Sequence, residues 1–271
     1  MSLQDDLQFV QQVARDAAVL VADNYGKVRR LTKRGDEAVS EADRASQRLI
    51  VSALRQRFPN DGIVGEENEL GDAITFDVAN PAGRTWVIDP IDGTNNFLAG
   101  LGAFAVCIGL LDAGDPVLGV VHDVTRNIAY TAARGFGAHL DDRPISVLKT
   151  PLGDSSLLML TSNLLDHNGE APNFAKRWLS QTNWKLRILG SAALEAAQVA
   201  AGVAHAAITL NGKLWDVVAP AAVVIEAGGF VTAPDGQAIF PFDLRNYTGA
   251  RVPFLAAGPA AHVQLMDEIR R

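Results

Sequence analysis

"TWVIDPIDGTNNF", residues 85–97, passes from a short apolar run into two aspartates separated only by Pro90 and Ile91. The run 85–88 is β-branched and aromatic and reads as a buried strand. Asp89 then emerges at the carboxyl end of that strand, where ligands gather in α/β sheets. Pro90 fixes φ and removes a competing backbone donor, which helps Asp89 and Asp92 point to one side. Two like charges this close repel, so either a cation stands between them or the pair lies open to water. Gly93 permits close backbone approach, and Thr94-Asn95-Asn96 suits the opening of a helix. The N–H groups at that helix opening would then face an anion, a ready site for phosphate.

Outward from this stretch the hydrophobic period changes twice. Upstream, "SLQDD" offers a capping box, Ser2 with Asp5, and Leu3, Leu7, Val10, Ala14, Ala17 and Val21 mark one face of a long helix. A polar, mobile segment, "KVRRLTKRGDEA", follows. A second helix buries Ala42, Ala45, Leu49, Ile50, Ala53 and Leu54 and ends before "FPNDG". Downstream, "FAVCIGLLD", "PVLGVVHD" and "NIAYTAA" continue from "TWVID" as an antiparallel meander. After residue 150 the pattern becomes strand then helix: "SSLLMLTS" with "NFAKRWLS", "KLRIL" with "SAALEAAQVAAG", "HAAITL" with "WDVVAPAAVVIEAGG". A last strand, "FLAAG", leads into a closing helix. Meander first and β–α units later predict an α+β or layered α/β fold, divided softly into residues 1–150 and 151–271 but forming one catalytic unit.

Composition sets the bounds. The chain has 271 residues, 48% hydrophobic and 20% charged, with a net charge of −7. That balance argues against a nucleic-acid polymer as partner and leaves a small anion possible only beside a metal ion. Cys107 is the single cysteine, which excludes an internal disulfide and fits a reducing cytoplasm. The first helix is too charged for a signal peptide, and no apolar run approaches a membrane span.

Two further acidic stretches join the central pair. Glu66 and Glu67 in "GIVGEENE" follow a short strand; standing alone they would read as a solvated turn. Asp216 in "LWDVVAP", alone, is a helix N-terminal carboxylate, which Pro220 keeps in the first turn. Together the three sites are hard oxygen donors without a His or Cys companion, which fits Mg²⁺ rather than zinc. The histidines at 122, 139, 167, 205 and 262 have no metal spacing and read as structural or surface residues. Ser191 in "LGSAA" lacks the second glycine of a nucleophile elbow and reads as a helix cap. No P-loop is present.

"GEE", "WVIDPIDGTNNF" and "WDVVAPAAVVIEAGG", in this order, resemble the inositol monophosphatase family of metal-dependent, lithium-sensitive sugar-phosphate phosphatases. "EAD" at 41–43 and "GSAA" at 190–193 look like further family segments. The resemblance implies a layered αβαβα sandwich of the inositol monophosphatase / fructose-1,6-bisphosphatase type, usually a homodimer. It implies Glu66, Asp89 and the Ile91 carbonyl as ligands of one Mg²⁺, and Asp89, Asp92 and Asp216 as ligands of a second, with a third, weaker ion near Glu66. Thr94, hydrogen-bonded to Asp43, would orient and deprotonate the attacking water, with Glu66 at the same centre. Gly93 and Thr94 would hold the phosphate, and Gly190, Ser191, Ala192 and Asp216 the alcohol side. Glu67 would stand behind the ligands, and Lys33 in the "KRGDE" loop could screen phosphate charge, although a solvated loop is the plainer reading.

Three rivals are distinguishable. "DGT" also ends the haloacid dehalogenase motif, but the nucleophile position two before Asp92 is Pro90, so direct attack by water outranks an aspartyl-phosphate. A non-catalytic metal- or phosphate-binding protein on the same scaffold should have lost a ligand or the Asp43–Thr94 pair, and none is missing. A 3′(2′),5′-bisphosphate nucleotidase or histidinol-phosphatase of the same superfamily is the third. Family members usually carry a glutamate shortly before "WD" that accepts bonds from substrate hydroxyls; here "HAAITLNGKLWD" offers Leu210 and Asn211 instead. The expected substrate is therefore a small phosphate monoester for which inositol 1-phosphate is not the best representative.

Overall fold

The computed structural model describes residues 2–27, 31–32, 38–68, 74–162 and 170–271, without the side chains of 31–32, 38–39 and Gln181. Helix α1 (Leu3–Asn24) begins at Ser2, whose hydroxyl accepts from the Asp5 N–H while the Asp5 carboxylate accepts the Ser2 N–H. Strands β1 (Leu31–Thr32) and β2 (Ala38–Val39) pair antiparallel; between them Lys33 and the rest of the "KRGDE" loop, like His167 later, lie outside the described residues. Helix α2 (Glu41–Arg57) ends where expected, before Phe58, although Ala45, Leu49 and Ala53 are only half-buried.

The first sheet is built from β3 (Gly62–Gly65), β4 (Thr75–Asp77), β5 (Thr85–Asp92), β6 (Ala105–Asp112), β7 (Asp115–Asp123), β8 (Ile128–Ala133), β9 (Ala138–Leu140) and β10 (Arg143–Ile145). Its order is β10-β9-β8-β7-β6-β5-β3-β4, a continuous antiparallel meander from β5 to β10, with β3 parallel to β5. Between β5 and β6 runs the short helix α3 (Thr94–Ala99). The second sheet contains β11 (Leu157–Leu160), β12 (Lys185–Arg187), β13 (Ala206–Thr209), β14 (Phe230–Thr232) and β15 (Phe254–Ala257) in the order β12-β11-β13-β15-β14. Helices α4 (Asn173–Gln181), α5 (Ala192–Ala200), α6 (Leu214–Glu226) and α7 (Pro259–Arg270) complete the chain. The short strands β1, β2, β4, β9, β10 and β14 were not anticipated; β1 and the first residue of β2 lie in "KVRRLTKRGDEA", read from its polarity as a segment without structure.

Strand alternation sorts these elements into layers. From β5, Trp86 and Ile88 pack with Val10, Ala14 and Ile50 of the outer helices α1 and α2. Val87 faces the other way, into a core shared with Leu194 and Ala197 of α5, Val218 of α6, and Ala207 and Ala256 of the second sheet. The far side of that sheet, Leu158, Ile208 and Leu255, is covered by Phe174 and Trp178 of α4 and Leu265 of α7. The order is helices, sheet, helices, sheet, helices, the αβαβα sandwich expected. Helices α5 and α6 are apolar on both faces because sheets cover both.

Helix α6 lies unusually near the first sheet. A Cβ at Gly119 of β7 would fall 2.1 Å from the Ala219 carbonyl oxygen, and one at Gly109 of β6 would fall 2.8 Å from the Ala219 nitrogen. Only glycine allows this approach. The helix continues through Pro220, which lies in its interior and does not end it.

Candidate active site

Parallel pairing of β3 and β5 brings two acidic ends to one edge of the sheet. Gly65 is in register with Ile88, and the Glu66 N–H donates to the Ile88 carbonyl at 3.2 Å, so Glu66 stands beside Asp89. In a regular strand Asp89 and Asp92 would face opposite sides. The β5–β6 register shifts between them, across Pro90 and Ile91, and both carboxylates turn toward α5 and α6. The Ile91 N–H donates to Asp89 Oδ1 at 3.0 Å, and the Ser46 hydroxyl holds the Pro90 carbonyl at 3.2 Å.

Asp216 reaches the same point from α6, where its Oδ2 also accepts the Lys213 N–H at 2.8 Å. Oxygens of Asp89, Asp92 and Asp216 lie within 4.8 Å of one another. Asp89 and Asp92 are buried and Asp216 half-buried. Burial pushes the Asp89 carboxyl well above the usual range, and Glu66, Asp216 and Asp92 add to the rise. Burial and Asp216 raise Asp92 to about 7, against the Ser191 hydroxyl and the Ala193 and Ala192 N–H groups that bond its ionised form. A buried, self-repelling set of oxygen donors of this kind fits a divalent cation.

Thr94, at the start of α3, stands between Asp43 and the bulge. Its hydroxyl is 3.2 Å from Asp43 Oδ1 and 2.9 Å from the Ile91 carbonyl. Asp43 is fully buried at the N-terminus of α2, where its Oδ2 accepts from the Ser40 N–H and hydroxyl. Gly93 has φ +92°, and a Cβ there would meet the Ala103 carbonyl at 3.0 Å and the Gly190 carbonyl at 3.3 Å. Its left-handed backbone thus sets two loops edge to edge. Asn96 fastens the same junction, its amide donating to the Ala103 and Leu189 carbonyls at 2.8 and 2.7 Å.

Glu66, Asp89, Ile91, Asp92, Gly93, Thr94 and Asp216 line a cleft of about 330 Å³ together with Thr161, Gly190, Ser191, Ala192, Asn211 and Lys213, while Asp43 and Asn96 stand behind its wall. Ser191 caps α5 through the Leu194 N–H, the helix-cap role read from its sequence. Glu67 is buried, with its backbone N–H and carbonyl both held by the Gln47 side chain rather than lining the cleft. Several contributors were not singled out in the sequence. Ser40 is legible in hindsight, because "SEAD" is a capping box; Asn96 reads only as part of a helix opening, and Ser46 and Thr161 carry no local signal. Glu195 is a lone acid in the apolar run "SAALEAAQVAAG", and its buried carboxylate accepts the Leu189 and Gly190 N–H groups at 2.8 and 3.1 Å.

Residues 2–269 match the model of the inositol monophosphatase family. A Thermotoga maritima protein, fructose-1,6-bisphosphatase/inositol-1-monophosphatase, is 35% identical over 237 residues, 86% of either chain. Inositol-1-monophosphatase of Bacillus subtilis is 31% identical over 234 residues, covering 86% of this chain and 83% of that one. Among solved structures, the T. maritima IMPase superimposes with a TM-score of 0.83 at 31% identity, covering 98% and 97% of the two chains. The extragenic suppressor protein suhB of Bartonella henselae gives 0.85 at 27% identity, covering 98% and 99%.

Proposed function

The chain belongs to the inositol monophosphatase family, phosphatases that hydrolyse phosphoric monoesters, and from that premise we propose a Mg²⁺-dependent enzyme acting on a small sugar or polyol phosphate by direct attack of water. The observation that carries this reading is the convergence of Asp89, Asp92 and Asp216 within 4.8 Å. In it, Glu66, Asp89, Asp92, Asp216 and the Ile91 carbonyl would hold two or three Mg²⁺ ions. When bound, such ions activate water and stabilise charge on the attacking and leaving oxygens of an in-line displacement.

The chain's own groups supply the rest. Thr94 orients the attacking water and relays its proton to Asp43, whose position Ser40 fixes; Glu66 assists from its place beside Asp89. The N–H groups of Gly93 and Thr94 hold the phosphate, while Gly190, Ser191, Ala192 and Asp216 line the departing alcohol. Asp89 and Asp92 come from the first half of the chain and Asp216 from the second, so residues 1–150 and 151–271 act as one catalytic unit. A homodimer, millimolar inhibition by lithium and a cytoplasmic location complete the proposal. No described helix is long and apolar enough to cross a membrane.

Phosphate release with Mg²⁺ from a panel including inositol 1-phosphate, other polyol phosphates, histidinol phosphate and 3′-phosphoadenosine 5′-phosphate tests the activity. Release from at least one member is expected; none from any would refute the enzyme reading in favour of a binding protein. Single turnover in ¹⁸O water should place label in phosphate alone. Label in the protein would replace direct attack with a covalent intermediate.

A further inference from the structure

One wall of the cleft is the loop joining β13 to α6, and every residue in its centre is pinned. The Thr161 hydroxyl donates to Asn211 Oδ1 at 2.6 Å. The Gly212 carbonyl accepts the Val252 N–H at 2.6 Å. Lys213 gives its N–H to Asp216 and its ammonium to the Gly249 carbonyl. Asn211 and Lys213 both line the cleft.

The Thr161 contact decides which half of the Asn211 amide a ligand meets. Thr161 is buried, and its own N–H is committed to the Ile208 carbonyl at 2.9 Å. Among the described residues its hydroxyl proton has one acceptor, Asn211 Oδ1. Were the amide turned over, its NH₂ would donate to the Thr161 oxygen and the Thr161 proton would lose its one described acceptor. The amide oxygen is therefore engaged, and the Asn211 NH₂, which donates to no described residue, is left for the ligand. Lys213 spends one of its three N–H donors on Gly249, leaving two. This wall offers a neutral donor and a cationic donor on a rigid loop, and neither Asn211 nor Lys213 supplies a carboxylate to accept from sugar hydroxyls.

We infer that Asn211 and Lys213 form a subsite for a second anionic group, phosphate or carboxylate, on the molecule that carries the scissile phosphate. The inference rests on the cleft being a phosphomonoesterase site. A hydrogen bond to a charged acceptor favours the doubly anionic substrate by about ten- to a hundredfold.

Matched pairs test it with the full-length protein and Mg²⁺: glycerol 3-phosphate against 3-phosphoglycerate, and fructose 1-phosphate against fructose 1,6-bisphosphate. The first pair reads a second carboxylate, the other a second phosphate. Higher kcat/KM for the doubly anionic member of at least one pair, carried mainly by KM, is expected. Asn211→Asp should abolish or reverse that preference, and Asn211→Leu should weaken it without adding charge, with folding of both checked by thermal melting. Equal kcat/KM within both pairs, or a preference untouched in both folded variants, would overturn the subsite. Should no compound release phosphate, the enzyme reading fails by itself. Calorimetric binding of the same pairs then decides the subsite, equal affinities refuting it and a tighter doubly anionic partner supporting it.

Discussion

Asp89 shares one small space with three other carboxylates and is itself buried. Asp89→Asn removes a proposed ligand and a repulsive charge together. Turnover should fall below detection, while the melting temperature in EDTA stays level or rises; near-normal kcat would end the two-ion reading. Thr94→Ala tests a different role. It should lower kcat by ~10²–10⁴-fold, the usual worth of a positioned proton acceptor. A rise in KM alone would make Thr94 a binding residue. Glu195 gives a pH-dependent prediction for the metal-free protein. Burial raises its carboxyl from 4.5 to about 8, although the Leu189 and Gly190 N–H groups pull the other way. Between those values the folded state holds a proton that the unfolded chain has released, so this group's contribution to stability falls as pH rises through the window. A glutamine can accept the same two N–H bonds without ionising. The melting temperature of Glu195→Gln relative to wild type should therefore climb from pH 5 to pH 9, and a flat difference would show that the carboxyl does not titrate there.

At the scale of elements, the seating of α6 on the first sheet sets the height of Asp216. Gly119→Ala would drive a methyl group into the Ala219 carbonyl, 2.1 Å away, and backbone cannot yield as a side-chain tip does. We expect a loss of ~1–3 kcal/mol in denaturant unfolding, typical of overpacking, together with weaker Mg²⁺ binding as Asp216 is displaced. Unchanged metal affinity in a folded variant would show that α6 adjusts without moving its acid. The mid-strand glycines were visible in "CIGLLD" and "VLGVV", yet without the partner helix nothing identified them as a seat. Strand β5 was legible as a β-branched and aromatic run, and helix α6 as a long apolar stretch opened by Asp216 and closed by two glycines. Strands β9, β10 and β14 are three residues each, too short for a period to register. The metal-site candidates were legible because their motifs are local. The Thr161–Asn211 bond joins residues 50 apart and exists only in the tertiary structure.

On the whole-molecule scale, five layers follow from two sheets that share a middle pair of helices. That sharing also sets an order of events at the ribosome. Strand β10 ends at Ile145, so the first sheet can be complete while its inner face still lacks α5 and α6, which end at Ala200 and Glu226. At about 5–20 residues per second, synthesis of that cover takes roughly 4–16 s. For that interval Val87, Cys107 and Val121 face water or a chaperone. A stalled nascent chain exposing residues 1–150 should crosslink to ribosome-associated chaperones and be cut rapidly by protease, whereas one exposing residues 1–271 should resist both. Equal protection at the two lengths would mean that the half-built sheet finds another cover.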